Sequence, residues 1–161
     1  MKDPASVLLL VGAVERQRSA FIKYVVESSQ AEVRDDLDRR VLGFYEDWYR
    51  ASVLHARQLE EVLAGEDVMV ETKSYPIDYS QFNYLSPAYL LKNVVQRMAV
   101  HLNSLAETAR RLEAWPLAST LLQGIVSSED RYLEEAKKLE SDRPQEAPKP
   151  PRIKGTSAAR W

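Results

Sequence analysis

The chain has 161 residues, 45% of them hydrophobic and 29% charged, with 5 glycines, no cysteine and a formal net charge of −2. One domain with a single core fits that length, and wholesale disorder does not fit that apolar content. The missing cysteines exclude disulfides, iron–sulfur clusters and thiolate zinc sites, and the near-neutral charge gives no global field for nucleic acid. The longest apolar run, Val7 to Val14, is interrupted by Gly12 and too short to span a bilayer. It also lacks the basic flank and cleavage site of a signal peptide. A cytoplasmic protein with no nucleic-acid or membrane partner is the expectation.

Four stretches carry helical periodicity. The first runs from Pro4 to Ser28, with Asp3 as N-cap and Pro4 at the first helical position; Leu8, Val11, Ile22 and Val25 form its stripe. The second runs from Ala31 to Ala64 and stops at Gly65, with Leu37, Val41, Phe44, Trp48, Ser52, His55, Leu59 and Val62 spaced by three and four. The third opens at Ser86-Pro87 and ends near Ala114, along a seam of Leu91, Val95, Met98, Leu102, Leu105, Ala109 and Leu112. The fourth opens at Pro116 and ends near Ser141, with Leu121, Ile125, Glu129, Tyr132, Ala136 and Leu139 on one face.

Short links join the first helix to the second and the third to the fourth, so each pair is expected to form a hairpin. The middle link, residues 66–85, is long. A second helix of about 34 residues spans about 50 Å, and a link of about 20 residues reaches about 70 Å when extended. The chain can therefore run back along the bundle. The expected fold is an all-α antiparallel four-helix bundle, two helical hairpins joined by a long crossover, occupying residues 1–142. Tyr75, Tyr79, Phe82 and Tyr84 should pack that crossover onto the bundle.

From Arg143 to Trp161 the composition changes, with four of the chain's eight prolines and five Lys or Arg against one Glu. This is read as a flexible Pro-rich basic tail. Its sharper reading is a docking peptide for a protein partner, anchored by Ile153 and Trp161.

Polar residues interrupt the seams near their middles: Glu15 on the first helix, Ser52 and His55 on the second, Glu129 and Tyr132 on the fourth. Glu15 to Ser52 is 37 residues and Val95 to Glu129 is 34, so the two halves repeat one pattern. In that pattern the chain resembles the ferritin-like superfamily, in particular its rubrerythrin-like branch, which carries Glu on the first helix, Glu-x-x-His on the second, Glu on the third and Glu-x-x-His on the fourth. "SVLHARQLEEVL" (Ser52 to Leu63) is similar to the first Glu-x-x-His segment with serine for glutamate. "SEDRYLEEAKKL" (Ser128 to Leu139) is similar to the second with tyrosine for histidine. Ser52, Val95 and Tyr132 depart from the pattern, which is incompatible with a normal two-iron site.

The resemblance leaves Glu15, His55 and Glu129 as metal-ligand candidates for a single iron or manganese ion. It implies a mononuclear oxidoreductase or peroxide-handling enzyme, with Tyr132 near the metal. The same residues also suit a metal-free hydrogen-bond network in a non-catalytic binding or scaffold protein, with Arg18 neutralising Glu15 and His55 bonded to Glu129 or Tyr132. A homodimer is a further implication of the resemblance. His101 is expected at the edge of the third seam, without a partner histidine at metal spacing.

Overall fold

The computed structural model describes residues 2–144, which are helical without any strand: α1 (Pro4–Arg18), α2 (Phe21–Glu27), α3 (Asp36–Ala64), α4 (Pro87–Arg111) and α5 (Pro116–Asp142), with one 3-10 turn at Ile77–Phe82. Local signals set most of the ends. Asp3 accepts from the Ser6 amide at 3.0 Å, with Pro4 at the first helical position of α1. Ser86 caps α4 through the Tyr89 amide with Pro87 behind it, and Pro116 opens α5. Gly65 closes α3. No described helix is long and apolar enough to cross a membrane.

Two boundaries differ from the sequence expectation. The first helix is broken at Ser19–Ala20, where Ala20 turns to an extended ψ of 141°. The Ser19 hydroxyl bonds back to the Glu15 carbonyl at 2.9 Å, and Lys23 caps the free Arg18 carbonyl at 3.0 Å. These side-chain bonds satisfy a helix end that has neither glycine nor proline to mark it. The second helix begins at Asp36 rather than Ala31, because Asp35 takes the Asp38 amide at 2.8 Å as an N-cap.

α3 and α4 are the central pair. Each packs against α1, α2 and α5, and they touch one another. The start of α1 meets the end of α3 through Lys2 and Glu66, while Glu27 at the end of α2 accepts from Tyr49 of α3. Ser119 of α5 donates to the Ala109 carbonyl of α4 at 2.8 Å. Trp48, Leu59, Leu91, Met98, Leu105 and Leu122 are fully buried between these helices, each contributing about 1.5–3 kcal/mol by leaving water.

The crossover lies on the bundle, as its aromatics suggested. Phe21 of α2 meets Tyr79 and Phe82 edge-on, with ring centroids 5.2 and 5.1 Å apart, and Tyr75 and Tyr79 both meet Tyr24 at 5.3 Å. Arg97 of α4 lies over Phe82, Phe21 and Tyr79 at 4.8–5.2 Å. Tyr84 is different: it is exposed and adopts a left-handed φ of 62°. That conformation lets its amide bond the Ser29 carbonyl at 2.8 Å, while Leu85 accepts from Glu32 at 3.1 Å. Residues 67–73 form no strand ladder.

The helix of the fourth stretch runs to Asp142. Residues 145–161 of the proposed tail, Ile153 and Trp161 among them, lie outside the described residues.

Asp38 ties the beginnings of α3 and α4 together. It is buried and accepts from the Ala88 amide at 3.0 Å and the Arg34 amide at 2.9 Å. Asp38→Ala orphans both amides and is expected to cost about 2 kcal/mol in urea unfolding. Asp36→Ala, which removes an exposed side chain paired with Arg39 of the same helix, is expected to cost under about 0.5 kcal/mol.

Candidate functional site

At mid-height the apolar core is replaced by a polar cluster centred on Glu129 of α5. Its side chain has no exposure to solvent. The Trp48 indole donates to Oε1 at 2.9 Å. Gln17 donates its amide to Oε2 at 2.7 Å, and His55 Nδ1 stands 3.0 Å from the same oxygen. A carboxylate oxygen accepts, the Trp48 indole and the Gln17 amide nitrogen can only donate, and the Nδ1–H tautomer of His55 supplies the third proton. Three donors from α1 and α3 thus converge on one carboxylate from α5.

Gln17 is the hub, and the surroundings dictate its orientation. One amide proton goes to Glu129; the other faces the Ser52 hydroxyl at 3.1 Å and the Ser52 carbonyl at 3.3 Å. Its carbonyl oxygen must then point the other way, where it meets His101 Nε2 at 2.8 Å. That oxygen can only accept, so His101 carries its proton on Nε2 and leaves Nδ1 as an acceptor. Burial pushes the His101 pKa down to about 4, with Arg16 adding to the fall and Glu129 opposing it. The imidazole is therefore neutral at physiological pH.

Two of the three expected metal ligands meet, and the third does not. His55 and Glu129 are in contact, but Glu15 sits on the outer side of α1, one-third exposed and paired with Lys73 at 2.9 Å. The expected i, i+3 pair of Glu15 with Arg18 also does not form: Arg18 bonds Glu60 at 2.7 Å and the Val70 carbonyl at 2.7 Å. The face of α1 is the reason. Leu10, Ala13, Val14 and Gln17 point inward, whereas Leu8 is largely exposed. Glu15 and Gln17 are two residues apart, about 200° around a helix, so both cannot face the core.

Tyr132 lies above the cluster rather than in it. Its ring stacks on Trp48 at 5.7 Å with a 14° interplanar angle and leans on Phe44 at 6.2 Å. Val94, not Val95, fills the fully buried position on α4. No group of three or more His, Cys, Asp or Glu suited to a metal occurs among the described residues.

The donor set does not fit the single iron or manganese ion implied by the resemblance. Glu129 already meets an indole, an amide and an imidazole, and Glu15, the other carboxylate of the expected set, is committed to Lys73. What the arrangement does chemically is bring an indole, an amide and an imidazole onto one buried carboxylate and link it outward through Gln17 to His101.

Comparison with protein-family models, curated proteins and solved structures finds no match for the chain.

Gln17 and the pairing of Trp48 with Glu129 have no counterpart in the sequence expectation. Gln17 stands between two arginines in "ERQR" (Glu15 to Arg18), which reads as a solvated face. His101 is at the edge of its seam as expected, and the feature that gives it a partner, a glutamine on another helix, has no sequence signal.

Glu129→Gln sets an NH2 donor against N–H donors, on either the Trp48 side or the Gln17 and His55 side, and is expected to cost about 3 kcal/mol in urea unfolding. His101 adds a pH dependence. Unfolded, it takes a proton near pH 6.5; folded, only near about 4. Between these values the unfolded chain binds more protons, so this contribution to stability is present above pH 6.5 and is lost as the pH falls toward 4. His101→Gln keeps a donor for Gln17 without titrating. It is expected to flatten that part of the stability–pH curve.

Proposed function

We propose that the chain is a non-catalytic binding or scaffold protein, an antiparallel four-helix bundle of ferritin-like arrangement in which a hydrogen-bond network replaces the di-metal centre. The helix-end contacts support the arrangement. Lys2 meets Glu66 and Glu27 meets Tyr49, as two strokes running in opposite directions would. Asp38 meets Ala88 near the starts of both α3 and α4, as two strokes joined by a long crossover would.

One observation carries the functional reading: the buried Glu129 carboxylate is spent on Trp48, Gln17 and His55, while Glu15 is held outside by Lys73. A ligand set built for redox chemistry leaves open coordination and converging lone pairs. Here protons converge instead. Such a core fixes the register of α1, α3 and α5 and leaves the work to surfaces. One surface we assign to that work is the basic, Pro-rich segment 143–161, in the role of a docking segment for a protein partner. Its composition supports the assignment.

The test is metal loading. Protein prepared without chelators, then exposed anaerobically to ferrous or manganous ion and desalted, is expected to retain well below one metal per chain by elemental analysis. His55→Ala should give the same value. A content of about one ion per chain that disappears in His55→Ala would refute this reading and favour a mononuclear oxidoreductase.

A further inference from the structure

Where α1 breaks, the bundle opens a groove of about 530 Å³ between the α1–α2 junction, the 3-10 turn and the outer face of α4. That volume is in the range of small-molecule sites. Its lining is chemically one-sided. Arg16, Arg97 and His101 line it, and no aspartate or glutamate does. Phe21 and Tyr79 supply an aromatic wall, edge to face at 5.2 Å. Val100 stands at the rim, 71% exposed.

Arg16 is the informative residue. Its Nη2 donates to Thr108 Oγ1 at 2.9 Å, and Thr108 in turn donates to the Ser104 carbonyl at 3.0 Å, so the guanidinium is held in place. Gly12 makes room for it: a Cβ there would come within 3.2 Å of Nη1. Yet no carboxylate lies within ion-pair distance among the described residues, and Nε is the one buried side-chain nitrogen or oxygen among them without a hydrogen-bond partner. Burial lowers the Arg16 pKa, but a guanidinium stays charged at any physiological pH. Glu129 does not serve as its hydrogen-bond partner, since three other donors occupy that carboxylate. Nε itself has no solvent exposure, so an anion in the groove offsets the charge of this positioned, partly desolvated cation rather than filling that donor.

The rest of the groove describes the body attached to that anion. Arg97 is partly offset by Asp78 at 3.6 Å, and its guanidinium carbon stands 4.8–5.2 Å from the centroids of three aromatic rings, so it contributes field and a wall rather than a free donor. His101, locked to Gln17 through Nε2, offers only a neutral nitrogen. We propose that this groove binds a small organic carboxylate, its oxygens on Arg16 and its apolar or aromatic body against Phe21 and Tyr79. The site is independent of both the metal question and segment 143–161.

Isothermal titration of the full chain with 3-phenylpropionate, octanoate, 3-phenylpropanol and inorganic phosphate tests it. At least one of the two carboxylates is expected to bind saturably, with affinity that falls as salt rises. The alcohol and phosphate are expected to bind about tenfold more weakly or not at all. Arg16→Met should weaken carboxylate binding about tenfold or more. Val100→Glu, on the exposed rim where folding is not at stake, should weaken it as well, whereas Val100→Lys should not. The proposal is overturned if neither carboxylate binds saturably at millimolar concentration, or if the alcohol or phosphate binds as tightly as the acids. Unchanged affinity in Val100→Glu and in any folded Arg16→Met would overturn it equally.

Discussion

A carboxylate with no access to water must be given donors by the protein, and Glu129 imposes that demand on the middle of this bundle. Leaving an ionised group buried and unpaired costs several kcal/mol. The demand is met from two other helices at once: Gln17 from α1, Trp48 and His55 from α3. Each donor has to arrive at its own height and angle, so sliding or rotating any of the three helices breaks bonds that nothing else replaces. Apolar packing, with Leu59, Met98 and Leu105 fully buried in it, drives the helices together, but packing tolerates small shifts. Directional bonds to Glu129 do not.

The break in the first helix belongs to the same account. Gln17 is the last inward-facing residue of α1, and the chain leaves helical geometry two residues later. The Ser19 back-bond and the Lys23 cap let α1 end there while Arg16 folds back toward Gly12 and Thr108. The turn also opens the groove beside His101. Core network and surface groove are therefore connected through one amide: Gln17 donates inward to Glu129 and accepts outward from His101.

Much of the fold was legible because its punctuation is chemical. Asp3-Pro4, Gly65, Ser86-Pro87 and Pro116 mark helix ends by capping and by fixed φ, and all four stand at ends in the structure. The seams of α3, α4 and α5 were legible because polar residues occupy their outer faces. The first helix offers no such contrast. Val7 to Val11 is apolar in every direction, so the run carries no phase, and the sequence expectation puts Glu15 on the face that Gln17 occupies. Ser52, His55 and Glu129 could be placed inside because their neighbours at spacings of three and four are apolar. Their partners could not, since a hydrogen bond between α1 and α5 spans 112 positions of sequence and leaves no periodic trace.

The most direct measurement of the central claim is hydrogen exchange of the Trp48 indole proton, followed by NMR at neutral pH in the absence of added metal. If Glu129 organises the core by accepting from Trp48, Gln17 and His55, that proton exchanges only on the timescale of global unfolding. An indole proton that exchanges within seconds under stably folded conditions would contradict the account, because it would mean the carboxylate and its donors are not held together.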